Sequence, residues 1–251
     1  LLANSLGSTY TCSLKDYRKF GNHFVCLINS KNKADSKSII FGNSHAYMYG
    51  WGLKDYWKDK NQKGYIIQMD GCFPFIDKNI SKKCIKKAKD YFKTISESKN
   101  IKNVIIGYNW HRKNFVDENG KTFTDDSFKI IKDSTDNLIA QFQKNKKNVY
   151  LIGPIDIPYK LISSELSRRI IFKNETNYKL YKSRKDFDKK YSKIIKYYDE
   201  KLSNKFLKPF SQLCDDTRCF FGDQNGSFFS DAHHLSYYGS MKMKKIFENI
   251  N

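Results

Sequence analysis

Four short runs rich in β-branched residues recur along this chain, each bounded by Gly, Asn, Asp or Pro. They are "SIIFG" (38–42), "GYIIQMD" (64–70), "KNVIIGYN" (102–109) and "KNVYLIGP" (147–154). Between them lie "HAYMYGWGLKDYWKDK", "ISKKCIKKAKDYFKTISESK" and "DDSFKIIKDSTDNLIAQFQKNK", whose apolar residues fall at intervals of three and four. Strands alternating with helices of this length predict a parallel sheet covered on both faces. A helical region over about 160–203 follows the fourth strand. "KFLKPFSQLC" then predicts a fifth strand and "LSYYGSMKMKKIFENI" a closing helix. There is no internal repeat and no low-complexity linker. The expectation is one α/β domain over residues 1–251: a three-layer α/β/α sandwich around a central parallel sheet of about five strands.

A chain of 251 residues with 39% hydrophobic content is a folded globule, not a disordered tail. Its net charge of +20 comes mostly from scattered Lys, as in "SRKDFDKKYSKIIKYYDEK". Such spacing makes a solvated helix face, or a surface that attracts a polyanion. No zinc-finger spacing or RNA-binding aromatic signature accompanies the charge, so nucleic acid is not an expected partner. No apolar run approaches the length of a membrane span, and "LLANSLGSTY" is too short and polar for a signal peptide. If the chain works outside the cytosol, the exporting or anchoring part belongs to a larger protein.

Six cysteines fall into three local pairs, Cys12 with Cys26, Cys72 with Cys84, and Cys214 with Cys219. Each pair encloses a polar, turn-rich stretch that suits a short-range disulfide. Six cysteines allow fifteen pairings, so the connectivity is an inference. A metal site is the competing reading, but there is no C-x-x-C and the adjacent His233 and His234 lack ligand spacing. Three disulfides imply an oxidising compartment.

In open parallel sheets, ligands sit beyond the carboxyl ends of the strands. "GNSH", "DGCFP" and "GYNW" follow the first three strands, and "SDAHHLS" precedes the last helix. In that last segment, Asp231 and His234 are spaced to set a carboxylate beside an imidazole within one turn, fixing its tautomer. The D-x-x-H spacing selects His234 over His233, which is expected to point elsewhere. Ser44, at a glycine turn before a helix, is an ordinary cap on its own. With a base elsewhere in the chain it becomes a candidate nucleophile. Candidate oxyanion donors are the Ser44 N–H, the Gly71 N–H and the Asn109 side-chain amide. The local G-x-S-x-A differs from the G-x-S-x-G elbow of α/β-hydrolases.

Ser44, Gly71, Asn109 and His234, in that order, resemble the four blocks of the SGNH (GDSL-like) hydrolase superfamily. "GNSH" resembles its first block, "GYNW" its third and "DAHH" its last. The chain is more similar still to the extracytoplasmic SGNH domain attached to membrane acyltransferase-3 proteins. Cys72-Phe73-Pro74, Trp110, "LIGPIDIP" and the closing Cys214, Cys219 and "DAHHLS" carry that likeness, from about residue 12 to the end. One departure stands out: Asn43 occupies the place of the usual Asp. That Asp is not the triad acid, so the change is expected to tune the turn without deleting the catalytic carboxylate.

The resemblance implies a serine-dependent O-acetyltransferase with Ser44, Asp231 and His234 as its triad. The acceptor would be a hydroxyl of a bacterial cell-surface polysaccharide such as lipopolysaccharide. It implies a periplasmic or cell-surface location, and a membrane acyltransferase-3 domain as partner in cis or trans. No cofactor or metal is expected on this chain, because the acetyl group originates from acetyl-CoA and reaches it through the membrane domain. An acidic glycan would suit the basic surface. The alternatives are a carbohydrate esterase with the same triad and a catalytically silent glycan-binding module.

Overall fold

In the computed structural model, the described residues are 10–124, 127–158, 161–173 and 180–250. They form a mixed α/β fold with a central, mostly parallel sheet, grouped into two compact units. Of the described residues, one unit comprises 12–47, 57–124, 127–152 and 250; the other comprises 10–11, 48–56, 153–158, 161–173 and 180–249.

The first unit begins with β1 (Tyr17–Phe20) and β2 (His23–Ile28), an antiparallel hairpin in which Phe20 pairs with His23. Its two-residue turn is Gly21-Asn22, with Gly21 at φ 60°. This hairpin was not expected from the apolar runs, although Gly-Asn between strands is a recognised turn pair. The next strands are β3 (Ser38–Gly42), β4 (Gly64–Gln68), β5 (Lys78–Asn79), β6 (Asn103–Gly107), β7 (Phe115–Asp117), β8 (Thr122–Phe123) and β9 (Asn148–Ile152). Six of these nine strands lie in the central sheet in the order β1-β2-β4-β3-β6-β9. β4, β3, β6 and β9 are mutually parallel, as the sequence predicts, and β2 joins β4 antiparallel. β5, β7 and β8 form a small separate sheet. Every residue of β3 and β6 is buried. Strands without a solvent face must be covered on both sides.

The helices of this unit follow the expected periodicity. α1 (Ser44–Tyr47) is a single turn, and α2 (Gly50–Asp59) begins in the second unit's share of the chain and ends in the first's. α3 (Lys82–Glu97) buries Cys84, Ile85, Ala88, Tyr91 and Ile95, and Ser81 caps it by accepting the Cys84 N–H at 3.2 Å. α4 (Ser127–Lys144) buries Ile131, Leu138, Ile139 and Phe142 among others. Lysines on the opposite faces stay in solvent, which explains much of the charge.

The second unit holds α5 (Ile162–Lys173), β10 (Leu180–Ser183), α6 (Arg184–Leu202), β11 (Phe206–Leu207), α7 (Phe210–Leu213), β12 (Arg218–Asp223), β13 (Gly226–Ser227) and α8 (Tyr237–Lys242). Residues 159–160 and 174–179 of the expected helical region lie outside the described residues. The fifth strand expected over "KFLKPFSQLC" is only two residues long, because Pro209 enters the helical region (φ −62°, ψ −27°) and starts α7. The closing helix is also shorter than expected, with a 3-10 turn over Met243–Phe247 completing it. α8 meets the start of α2 closely: Gly52 donates its N–H to Ser240 Oγ at 3.2 Å, and Lys244 pairs with Asp55 at 2.6 Å.

All three local cysteine pairs are disulfides: Cys12–Cys26 and Cys72–Cys84 in the first unit, Cys214–Cys219 in the second.

Candidate active site

Strand register places the turn that carries Ser44. Gln68, Gly42 and Gly107 lie side by side at the ends of β4, β3 and β6. Two residues beyond them stand Asp70, Ser44 and Asn109, so three loops leave one sheet edge in step. The two glycines are demanded by space. A Cβ on Gly42 would overlap the Gly107 carbonyl oxygen and come within 2.8 Å of Ala46 Cβ. A Cβ on Gly107 would lie 3.0 Å from Ala46. They let α1 descend onto the strand ends, which fixes where Ser44 begins its turn.

Asn43 is the N-cap of that turn. Its carbonyl accepts the N–H groups of Ala46 and Tyr47 at 2.9 and 3.2 Å, and its Oδ1 accepts the His45 N–H at 3.0 Å. An amide oxygen does here what a carboxylate oxygen would do. Tyr47 Oη in turn accepts the Cys12 N–H at 3.1 Å, so the first disulfide is tied to α1.

Asn109 Oδ1 accepts the His111 N–H at 2.7 Å, which commits the amide oxygen and leaves Nδ2 as the donor end. The neighbouring Trp110 is buried, and its Nε1–H donates to the Ile152 carbonyl at 3.2 Å. Trp110 anchors the loop.

The Ser44 N–H donates to the Asp70 carbonyl at 3.2 Å. Asp70 and Gly71 are the central residues of a turn closed by the Cys72 N–H to the Met69 carbonyl at 3.0 Å. Asp70 carries φ 54°. Lys87 on α3 holds its carboxylate at 2.7 Å, and Cys72–Cys84 ties the turn's end to the same helix. Asp70 and Lys87 were not singled out from the sequence. The Asp-Gly pair in "MDGC" is the signal that marks the turn.

The Asp231–His234 segment belongs to the other unit. Asp231 Oδ2 lies 2.7 Å from His234 Nδ1. Asp231 Oδ1 accepts the backbone N–H groups of His233 at 2.8 Å and His234 at 2.7 Å. Burial pushes the Asp231 carboxyl up, but the bonds from the His234 ring and the two backbone N–H groups outweigh it, leaving it below its ordinary range. An ionised carboxylate only accepts, so the proton of a neutral His234 sits on Nδ1 and Nε2 is its basic nitrogen.

Ser236 Oγ accepts the Gly239 N–H at 3.0 Å to cap α8 and donates to the Ser227 carbonyl at 2.7 Å, fixing the segment's exit. His233 does not turn away as expected. Its ring lies 4.0 Å from that of His234, and its pKa is lowered by burial and by the neighbouring imidazole.

A mostly parallel sheet with a serine turn after its first parallel strand, and an Asp–His pair ahead of the closing helix, has the layout of the SGNH fold. The family described as "SGNH domain (fused to AT3 domains)" matches residues 11–249, and the chain belongs to that family. In structure it is similar to the periplasmic domain of the lipopolysaccharide acetyltransferase of Salmonella ser. Paratyphi A. The TM-score is 0.65 over 87% of this chain and 84% of that one, at 18% sequence identity. No curated protein matches the chain. Among the described residues, no helix is long and apolar enough to cross a membrane.

Proposed function

We propose that the chain is the extracytoplasmic acyl-transfer domain of an acyltransferase-3 protein that O-acetylates a bacterial cell-surface polysaccharide. His234 takes the Ser44 hydroxyl proton as Ser44 Oγ attacks the carbonyl of an acetyl donor. The proton then passes to the departing group, and the acetyl is left as a Ser44 ester. A sugar hydroxyl attacks that ester, gives its proton to His234 and leaves as the acetylated glycan, and Ser44 recovers its proton. Asp231 holds the imidazole in its working tautomer and stabilises the imidazolium. The Ser44 N–H, the Gly71 N–H and Asn109 Nδ2 donate to the oxyanion of both steps.

The observation that carries this reading is the 2.7 Å Asp231–His234 pair in a chain of the AT3-fused SGNH family. Three disulfides suit an oxidising location. In cells that carry the full-length protein, Ser44→Ala is expected to abolish O-acetyl groups on the glycan, measured by NMR of the purified polysaccharide. Retained acetylation overturns the reading. The purified domain, given an acetylated donor with and without glycan acceptor, is expected to form acetylated acceptor faster than free acetate. The reverse order makes it an esterase.

A further inference from the structure

In the conformation described, the Asp70 carbonyl occupies the Ser44 N–H, the first of the three oxyanion donors. The turn that carries this carbonyl has its residues in an unusual order. With Asp70 at φ 54° and Gly71 not among the positive-φ glycines, the φ signs of its two central residues are those of a type II′ turn, in which the positive-φ first position belongs to glycine. The chain's own hairpin turn, Gly21-Asn22, obeys that rule with Gly21 at φ 60°. Asp70-Gly71 reverses it. Nor does space call for glycine at 71, since a Cβ there would meet only Ile80 Cδ1 at 3.8 Å. Asp-Gly is instead the preferred pair of a type I′ turn, where both central residues have positive φ. Types II′ and I′ differ by a half-rotation of the peptide between the two central residues.

We propose that the Asp70–Gly71 peptide flips when Ser44 is acylated, and that Asp70 is a positioning residue for the oxyanion hole. The flip turns the Asp70 carbonyl away from the Ser44 N–H and brings the Gly71 N–H to the side the carbonyl held. Gly71 takes the positive φ that glycine alone accepts freely. Asp70 stays at positive φ, which Asp tolerates better than most residues. The rotation needs no movement of the turn's ends. Cys72 is fixed by Cys84, the Asp70 carboxylate by Lys87, and the Met69 N–H by the Gly42 carbonyl at 2.8 Å. Only the central peptide is released to turn.

This inference rests on the serine-ester reading above, and the test separates the two. The probes are p-nitrophenyl acetate for turnover and a small alkyl phosphonate ester for a stable Ser44 adduct. Gly71→Ala is expected to fold with an unchanged melting temperature. Its kcat is expected to fall about five- to thirty-fold with KM unchanged, the cost of forcing an L-residue to positive φ. A crystal structure of the phosphonylated natural sequence is expected to place the phosphonyl oxygen on both the Ser44 and Gly71 N–H groups, with Gly71 at positive φ. An adduct that keeps the Asp70 carbonyl on the Ser44 N–H overturns the flip, as does full kcat in Gly71→Ala. If Ser44→Ala still turns over the ester, the serine reading falls and the flip with it. If Ser44→Ala is inactive while Gly71→Ala is fully active, the flip alone falls.

Discussion

The serine turn and the Asp–His segment belong to different units and are built in opposite ways. Asp231, His233 and His234 organise one another within four residues: one carboxylate oxygen takes two backbone N–H groups and the other takes an imidazole. The Ser230 N–H to the His234 carbonyl at 2.9 Å closes the same loop. Almost every partner is local. The Ser44 turn depends on residues far along the chain. Gly107 sets how close Ala46 of α1 can come, and Asp70 receives the first N–H of α1. A locally wired segment keeps its geometry wherever the scaffold places it, whereas a sheet-wired one is only as good as the strand register beneath it. Substitutions in the two halves therefore differ in what they damage.

The largest effect falls on the local half. Asp231→Asn keeps an acceptor for the backbone N–H groups but stops enforcing the His234 tautomer. By analogy with the serine-protease triad, kcat is expected to fall about 10⁴-fold, read as loss of acetyl transfer by a folded protein. The same variant has a pH signature. The Asp231 carboxyl lies below its ordinary range when folded, so the stability its bonds contribute is present above the unfolded carboxylate pKa. It is lost as pH falls through the depressed folded value. Denaturant unfolding should show a gap between natural protein and variant that is constant near neutrality and closes in acid. A gap that widens in acid would show that the carboxylate is not held by those bonds.

Next come two changes in the sheet-wired half. Gly42→Ala puts a methyl group into the Gly107 carbonyl, and about 3 kcal/mol or more of stability is expected to go, at the upper end for overpacking. Activity should fall with it, since Ser44 is two residues away. Intact stability would mean that α1 is not seated on the glycine pair. Removing Cys72–Cys84, which joins residues 12 apart, as Cys72→Ser with Cys84→Ser, is expected to cost about 2–3 kcal/mol. The denaturation midpoint should fall accordingly under oxidising conditions, and by less than when all three disulfides of the natural protein are reduced.

The same contrast explains what was legible in the sequence. The D-x-x-H pair could be read directly because its partners are three residues apart. The parallel strands were legible because β3 and β6 are continuous apolar runs between amphipathic helices. The β1–β2 hairpin was missed because β1 is polar and exposed at Tyr17, Arg18 and Lys19, so the buried apolar run of β2 over 25–28 had no matching run beside it. A strand was expected where Pro209 starts α7, because the apolar residues of "KFLKPF" outweighed the proline. Asp70 was missed for a deeper reason. Its part in the site is played by a backbone carbonyl, which every residue owns, and only its φ and the order of the Asp-Gly pair set it apart. His233 was expected elsewhere because motif spacing selects one imidazole and says nothing about how the other packs.

The smallest effect sharpens the comparison most, since it tests the residue that caps the turn at the centre of the sheet-wired half. Asn43 is buried, with 3% of its surface exposed, and its Oδ1 accepts the His45 N–H as an N-cap. Asn and Asp are nearly equal as caps, so the bond itself survives Asn43→Asp with a change expected below about 0.5 kcal/mol. The added charge would face the N-terminal N–H groups of α1, where a negative charge is favoured, and this offsets part of its desolvation. The melting temperature is expected to move by only a degree or two and kcat by less than about threefold. Asn43→Ala removes the acceptor altogether and is expected to cost about 1 kcal/mol. If Asn43→Asp instead raised kcat tenfold, the carboxylate would be acting on the reaction itself. Position 43 would then belong to the chemistry and not to the turn that carries Ser44.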